Sequence, residues 1–286
     1  MKTQSIQTPA ASSAERQGTM SPGPVLRARQ VTLGYGRRVI VENLSFEVPP
    51  GEVTVIIGPN GCGKSTLLRG FSRLLKPTVG SFTVGERELS RFGAREFARV
   101  VGLLPQNPVA PDGILVGELV SRGRYPHQGM FSRASQEDDQ AVAWALEATS
   151  TASLVRRPMS ELSGGQRQRV WIAMALAQQT EILLLDEPTT FLDLAHQVEL
   201  LDLVVRLNRE RGTTTVVVLH ELNLAARAAD HLVAMKDGAV VAHGRPEEVL
   251  TTSCLQEVFD LEASVHRLEG VAEPVVVPAS RREERP

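Results

Sequence analysis

The 286-residue chain is 42% apolar and has a formal net charge of −2 at pH 7. This near-neutral charge argues against nucleic acid or an anionic membrane as a partner, because either would need a strongly basic surface. No run of about 18 apolar residues is present, so we expect no membrane-spanning helix. The start of the chain also lacks the apolar segment of a signal peptide.

The two ends of the chain are polar. Residues 1–24 are rich in Ser, Thr, Gln, Ala and Pro, and residues 271–286 end in a charged Arg-Glu run. Such segments bury too little apolar surface to offset their ordering entropy. We therefore expect a disordered extension at 1–24, a folded unit over 25–270 and a disordered tail over 271–286.

The first strands differ in pattern from those that follow. Residues 25–34 and 44–48 alternate apolar and polar side chains, which is typical of half-buried antiparallel strands. Later runs are short and continuously apolar, as in strands buried on both faces, and helices separate them. These buried strands are predicted at residues 53–57, 100–104, 182–186 and 214–219. The fold class is therefore α/β, with an N-terminal antiparallel β subdomain and a parallel sheet.

Residues from about 106 to 165 change in character. Strand-like runs are absent there, and residues 136–149 have helical apolar spacing at Ala141, Trp144, Ala145 and Ala148. This predicts a helical subdomain inserted into the α/β core. Further on, Asp237-Gly238 predicts a hairpin turn, and Pro246 opens a late helix over residues 246–250.

A glycine-rich loop follows the strand at 53–57 and precedes a helix over residues 64–75. It fits the G-x-x-x-x-G-K-[ST] pattern, in which glycines let backbone N–H groups point at a triphosphate. Lys64 is placed to reach the β- and γ-phosphates, and Ser65 to ligate Mg²⁺. One of the two cysteines lies in this loop, which favours a reducing cytosol. The candidate nucleotide-binding residues are Gly58, Pro59, Asn60, Gly61, Cys62, Gly63, Lys64, Ser65 and Thr66.

Two carboxylates end the strand predicted at 182–186. Adjacent residues of a strand point to opposite faces, so Asp186 and Glu187 can take different roles. We expect Asp186 to face the Mg²⁺ shell and Glu187 the attacking water.

Leu162-Ser163-Gly164-Gly165-Gln166 leads into another helix and offers a second anion-binding helix start. This segment resembles the signature motif of ABC ATPases, a family of phosphate-loop NTPases. The resemblance covers nearly all of residues 25–265. It implies a head-to-tail pair of subunits, in which each ATP lies between one phosphate loop and the partner's Ser163, Gly164, Gly165 and Gln166.

Four more residues resemble the family's motifs in order along the chain. Gln106 resembles the Q-loop glutamine, a ligand of Mg²⁺ and water, and His220 resembles the switch histidine at the γ-phosphate. Asp193 resembles the D-loop aspartate that couples the two sites, and Tyr35 the aromatic residue that stacks on adenine. Glu221 stands where the family more often has Asp, which keeps the charge. The resemblance thus implies catalytic roles for Lys64, Gln106, Glu187 and His220.

Three segments look like the group that imports iron–siderophore, haem and vitamin B12 complexes. They are residues 123–127 (Gly-Arg-Tyr-Pro-His), residues 189–197 and residues 220–223. The first follows the Q-loop and is compatible with a permease-facing role or with a simple turn. The resemblance implies a peripheral subunit on the cytoplasmic face of the membrane. Its partners would be integral-membrane permease subunits and, indirectly, an extracytoplasmic substrate-binding protein, with no nucleic acid.

Two alternatives stay open. An export ATPase would also work on a separate permease, but the siderophore-like segments count against it. A soluble ABC protein acting on ribosomes or DNA would carry a second ATPase unit, a long coiled coil or a Cys-rich insertion, none of which the sequence contains.

Overall fold

The computed structural model describes residues 23–129, 134–190 and 192–279. The predicted extension lies outside these ranges up to residue 22, as do residues 280–286 of the predicted tail. The strands are β1 Leu26–Tyr35, β2 Arg38–Val48, β3 Val53–Ile57, β4 Val79–Val84, β5 Arg87–Glu88, β6 Val101–Leu104, β7 Ile182–Asp186, β8 Thr214–Val218, β9 His231–Lys236, β10 Ala239–Gly244, β11 Ala263–His266 and β12 Val275–Pro278.

Helices alternate with the strands of the main sheet. Short 3₁₀ turns lie at Leu89–Arg91, Arg122–Arg124, Ala152–Leu154 and Met159–Glu161. The α-helices are α1 Lys64–Phe71, α2 Ala94–Val100, α3 Val116–Ser121, α4 Gln136–Ala148, α5 Gly164–Ala177, α6 Leu194–Arg211, α7 Leu222–Ala228, α8 Pro246–Val249 and α9 Thr252–Phe259. Within the described ranges, no helix has the length and apolar character needed to cross a bilayer.

The main sheet has the order β10-β9-β3-β8-β7-β6. All of its pairs are parallel except the β9–β10 hairpin. Every residue of β3, β7 and β8 is buried, which explains why these strands are mainly apolar. The polar residues buried in them are Thr54, Asp186, Thr214 and Thr215. The predicted parallel sheet is confirmed, and its order brings the carboxyl ends of β3, β8, β7 and β6 to one edge.

The two faces of the main sheet meet different layers. Ile57 and Leu185 belong to the core shared with the helices. Their neighbours Ile56 and Leu184 belong to the core shared with the antiparallel sheet. Because side chains alternate along a strand, each strand contributes to both cores, and the main sheet is the middle layer.

The antiparallel subdomain is confirmed and is larger than predicted. Its order is β2-β1-β4-β5, and β2 begins at Arg38 rather than at residue 44. The sequence did not predict β4, which packs Phe82 edge-on against Phe71 of α1 at 5.0 Å between ring centroids. Gly80 in β4 has φ +77°, and a Cβ there would lie 2.3 Å from the carbonyl oxygen of Arg29. The strand therefore pairs closely only because this residue is glycine.

The described residues between β6 and β7 form helices and turns, as the predicted helical insertion requires, apart from an isolated β-bridge between Leu115 and Pro158. Helix α4 matches the predicted helix at 136–149 to within one residue. Ser135 caps it, accepting a hydrogen bond from the Asp138 N–H at 3.2 Å while the Asp138 side chain bonds back to Ser135. The exact limits of the subdomain, 106–165, stay a prediction.

The C-terminal part contains one confirmed and one wrong prediction. The hairpin turns at Asp237-Gly238, where Lys236 pairs with Ala239, and α8 begins at Pro246 as predicted. The prediction of a disordered tail is wrong for Val275–Pro278, which pair with β11. Val276 is buried there, and burial of this apolar side chain favours an ordered strand within a tail that ends in polar residues.

Candidate functional site

The loop between β3 and α1 has a backbone that requires glycine. Gly58, Gly61 and Gly63 have φ values of +153°, +79° and +108°. A Cβ at Gly58 would lie 2.2 Å from the carbonyl oxygen of Met235, so no other residue fits there without movement. This conformation directs the loop into the N-terminus of α1, where backbone N–H groups and the helix dipole favour an anion.

Lys64 lies inside this loop. Its side chain is 4% exposed, and Nζ donates to the carbonyl oxygens of Gly58 at 2.8 Å and Pro59 at 3.0 Å. The loop thus holds a buried cation at its centre, where phosphate oxygens can replace the carbonyl partners. Cys62 and Thr66 are also buried, and burial raises the pKa of the Cys62 thiol, which therefore stays neutral. Asn60 and Gly61 are exposed at the loop tip.

The hydroxyl of Ser65 and the carboxylate of Asp186 face each other. Ser65 Oγ donates to Asp186 Oδ1 at 2.9 Å, joining α1 to the end of β7. Burial raises the pKa of Asp186, and the charge of Glu187 adds to this, whereas the Ser65 hydrogen bond opposes it. A nearby cation would relieve this destabilised carboxylate. The oxygen donors here suit Mg²⁺, which prefers hard oxygen ligands.

Glu187 is the meeting point of three strand ends. Gln106 Nε2 donates to its Oε2 at 2.5 Å, and His220 Nε2 lies 2.5 Å from its Oε1. Gln106 follows β6, Glu187 follows β7 and His220 follows β8, so the sheet order creates this cluster. Glu187 has φ +50°, in the left-handed region that costs a non-glycine residue energy. Gln106 and Asp186 also line a common cavity of about 160 Å³.

Arg69 is a residue of this region that sequence reasoning missed. It lines the same cavity as Asp186, and its Nη1 donates to the hydroxyl of Tyr35 at 2.9 Å. Tyr35 ends β1 and is 45% exposed, and a tyrosine ring can stack on a planar base. The only sequence signal for Arg69 was a charged residue on α1 between Leu68 and Gly70, which also fits a solvated helix face.

The segment at residues 163–166 forms a capped helix start on the surface. Ser163 Oγ accepts from the Gln166 N–H at 3.2 Å, and Gln166 Oε1 accepts from the Ser163 N–H at 3.1 Å. Ser163 and Gly164 are exposed, and Gly165 lies against His196, where a Cβ would be 3.3 Å from the ring. Within the described ranges no hydrogen bond joins this segment to the phosphate loop of the same chain.

Asp193 caps the neighbouring helix α6. Its Oδ1 accepts from the His196 N–H at 2.9 Å and lies 2.7 Å from His196 Nδ1. These hydrogen bonds lower the pKa of Asp193. Asp193 therefore contacts the histidine that packs on Gly165, which places the two predicted surface motifs side by side.

The Gly-Arg-Tyr-Pro-His segment ties the helical insertion to α5. A Cβ at Gly123 would lie 2.3 Å from the carbonyl oxygen of Met174. Arg124 is buried, and its Nε donates to Asp138 Oδ1 at 2.8 Å and its Nη1 to the carbonyl of Ala177 at 2.8 Å. His127 Nε2 also lies 2.7 Å from the Gln178 carbonyl oxygen, so three residues of the segment contact the end of α5, while Tyr125 is 59% exposed.

A glycine-rich loop around a buried lysine, with a serine and two carboxylates at the adjacent strand ends, defines a phosphate-loop nucleoside triphosphatase. The second exposed helix start at residues 163–166 distinguishes the chain within that class.

Comparison with known proteins identifies the family. Residues 41–190 match the family model described as ABC transporter. The chain is 49% identical over 256 residues to the ferric enterobactin transport ATP-binding protein FepC of Escherichia coli (strain K12), covering 90% of this chain and 94% of the relative. It is 50% identical over 240 residues to the iron(3+)-hydroxamate import ATP-binding protein FhuC of Bacillus subtilis (strain 168), covering 84% and 89%.

A solved structure agrees with this. The dimeric structure of MJ0796, a bacterial ABC transporter cassette, superposes with a TM-score of 0.68 at 29% identity, covering 77% of this chain and 98% of the other. The chain belongs to the ABC transporter family, as an ATP-binding subunit that hydrolyses ATP to drive transport.

Proposed function

We propose that the chain powers the uptake of an iron–siderophore complex, or a similar metal chelate, through a separate membrane permease. The observation that carries this is the 49% and 50% identity, over most of the chain, to the two relatives whose names describe ferric enterobactin transport and iron(3+)-hydroxamate import. Substrate contacts would lie on other subunits, so the choice of chelate is left to the permease and to an extracytoplasmic binding protein.

The phosphate loop would bind ATP through its backbone and Lys64. The amides of Gly58, Gly61 and Gly63 and the helix dipole of α1 would hold the phosphate oxygens, and the Lys64 ammonium would exchange its carbonyl partners for them. Tyr35 would stack on adenine. Ser65, Asp186 and Gln106 would hold Mg²⁺, which when bound neutralises charge on the β- and γ-phosphates.

Glu187 would orient and deprotonate the attacking water. Its two oxygens are occupied, one by His220 and the other by Gln106. A carboxylate offers about four acceptor positions, so these contacts leave room for a water molecule. Movement of His220 or Gln106 toward the γ-phosphate or the metal on nucleotide binding would free more of the carboxylate for that water.

A second copy of the chain would complete the site. Ser163 and Gly164 are exposed, and Gly165 and Gln166 are half-buried, at a helix start that would offer its N–H groups to a γ-phosphate bound by the partner. Asp193 would couple the two sites. Closing and reopening of this pair on the cytoplasmic face would drive the permease between its states.

Two experiments test transport and substrate class. Tagged Glu187→Gln protein should bind ATP without turnover, so membranes solubilised with ATP and Mg²⁺ should yield a polytopic permease on purification. Lys64→Ala, which lacks the phosphate cation, is the matched control and should recover less of it. Cells lacking the chain should lose uptake of radiolabelled iron carried by ferric enterobactin or a ferric hydroxamate.

The proposal has two clear failures. Recovery of ribosomal or DNA-repair proteins, with no membrane protein, would favour the soluble alternative. Recovery of a permease together with unchanged uptake of both chelates would retain a transporter and reject ferric enterobactin and the tested ferric hydroxamate as its cargo.

A further inference from the structure

The C-terminal strand is joined to the helix that follows the histidine cluster. Asn223 lies in the first turn of α7, three residues after His220. Its Oδ1 accepts a hydrogen bond from the Val276 N–H at 2.8 Å, and its Nδ2 donates to the Val276 carbonyl at 3.2 Å. One side-chain amide thus satisfies both backbone groups of a single residue in β12.

This contact takes the place of a neighbouring strand. The two-stranded sheet pairs Val276 with Val265 on one side, which leaves the other edge of β12 without a strand partner. Unpaired backbone groups are costly where the residue is buried, as Val276 is at 4% exposure. A carboxamide offers a donor and an acceptor at the right spacing, whereas no carboxylate or hydroxyl offers both in this way.

Only a short connection separates this contact from His220. Leu219 is held at the end of β8 by a hydrogen bond from its N–H to the Ile56 carbonyl at 3.1 Å. The Glu221 carbonyl accepts from the Ala225 N–H at 2.8 Å and so begins α7. The backbone around His220 is therefore set on one side by the sheet and on the other by the placement of α7.

We propose that Asn223 is a positioning residue for His220. By bonding α7 to β12, it holds the start of that helix at the angle at which the His220 imidazole reaches Glu187. The C-terminal strand thereby becomes part of the hydrolytic site without contacting nucleotide. The inference rests on the proposed catalytic role of His220.

The test compares ATP turnover by the full-length chain and its variants, with His220→Ala as the reference. Asn223→Ala removes both hydrogen bonds, and we expect kcat to fall about tenfold, the scale of one or two neutral hydrogen bonds. KM for ATP should stay within about twofold, because the binding residues are untouched. Arg227→Met, on the same helix but bonded to Asp202 of α6, is the matched control and should keep kcat.

The decisive measurement is the double variant Asn223→Ala/His220→Ala. If Asn223 acts through His220, adding Asn223→Ala to His220→Ala causes no further loss of kcat. Independent, multiplicative losses would overturn the proposal, as would an unchanged kcat in Asn223→Ala. If Asn223→Ala folds poorly, Asn223→Asp replaces it in the test. This variant keeps the acceptor for the Val276 N–H and should show an intermediate kcat. Wild-type turnover in both Asn223→Asp and a folded Asn223→Gln would also overturn the positioning role of Asn223.

The same variants separate this inference from the proposed function. If His220→Ala keeps full turnover, the catalytic role of His220 fails and the positioning role fails with it. If His220→Ala loses turnover while Asn223→Ala does not, only the positioning role of Asn223 is rejected.

Discussion

Replacing Arg124 by methionine should be strongly destabilising. The guanidinium is 4% exposed and donates to Asp138 and Ala177, both at 2.8 Å, and to Gln179 Oε1 at 3.0 Å. Burial alone would raise the pKa of Asp138, but hydrogen bonds from Ser135 and Arg124 hold this pKa below its usual range. Arg124→Met keeps the apolar stem but leaves that carboxylate buried without its cation.

The magnitude follows from the charge left behind. Removing one member of a buried ion pair costs about 3–5 kcal/mol. The buried carboxylate can contribute no more to this cost than the free energy needed to protonate it. For a carboxyl group of ordinary pKa near 3.9, protonation at pH 7 costs about 4 kcal/mol. Loss of the hydrogen bond to the Ala177 carbonyl adds about 1 kcal/mol. We therefore expect a loss of about 3–5 kcal/mol in the free energy of unfolding.

Urea unfolding at pH 7 measures this loss, with Arg227→Met as the control. Arg227 makes the same kind of pair with Asp202, but both side chains are about half exposed, so its loss should cost about 0–1 kcal/mol. The deficit of Arg124→Met should also shrink by up to about 2–3 kcal/mol at pH 5, because neutralising Asp138 becomes easier there.

Equal losses of stability in the two arginine variants would contradict a cost that arises from the burial of the Arg124–Asp138 pair. So would a deficit of Arg124→Met that is the same at pH 5 and pH 7, since it would show that the stranded carboxylate is not the cause.

Three further predictions concern the site and the histidines. Lys64→Ala should lose ATP binding in an equilibrium titration, because the phosphate loop then lacks its cation, and wild-type affinity would reject this role. Ser163→Arg should abolish ATP turnover although it leaves the phosphate loop of its own subunit intact; unchanged turnover would contradict a site completed by a second copy. Burial, and then the charge of His243, lower the pKa of His231. The unfolded chain therefore takes up a proton near pH 6.5 before the folded chain does, and stability should fall as pH drops below about 6.5. His231→Phe should weaken this fall between pH 7.5 and 5.5 in urea unfolding, whereas an unchanged fall would assign it to other groups.

Several elements followed from local pattern. The runs at β3, β7 and β8 are mainly apolar because both faces of each strand are covered, so the type and position of these strands could be predicted to within one residue. Strand β4 was missed, since its first three residues are exposed or partly exposed and its pairing depends on Gly80 lying close to β1. Strand β12 was missed for a similar reason, because only Val276 of its four residues is buried.

The packing of the Gly-Arg-Tyr-Pro-His segment could not be predicted from its motif. Its resemblance pointed to an importer subgroup, and the relatives agree with that grouping. The sequence allowed either a permease-facing role or a simple turn, and it did not predict a buried arginine, because an arginine in a turn is usually solvated. Burial of Arg124 against Asp138 is decided by how α4 packs on α5, and that packing has no local signature.

The phosphate loop, the acidic pair and the second helix start could be predicted from the sequence, because each is a property of a few consecutive residues and of the turn they can adopt. The contacts that these motifs make depend on the tertiary structure. Gln106 and Glu187 are 81 residues apart, yet their side chains share a hydrogen bond because β6 and β7 are neighbours in the sheet. The bond from Asn223 to Val276 likewise joins residues 53 apart. Such contacts depend on the order in which strands pair and on which faces are covered, and these are settled by burial summed over the whole chain.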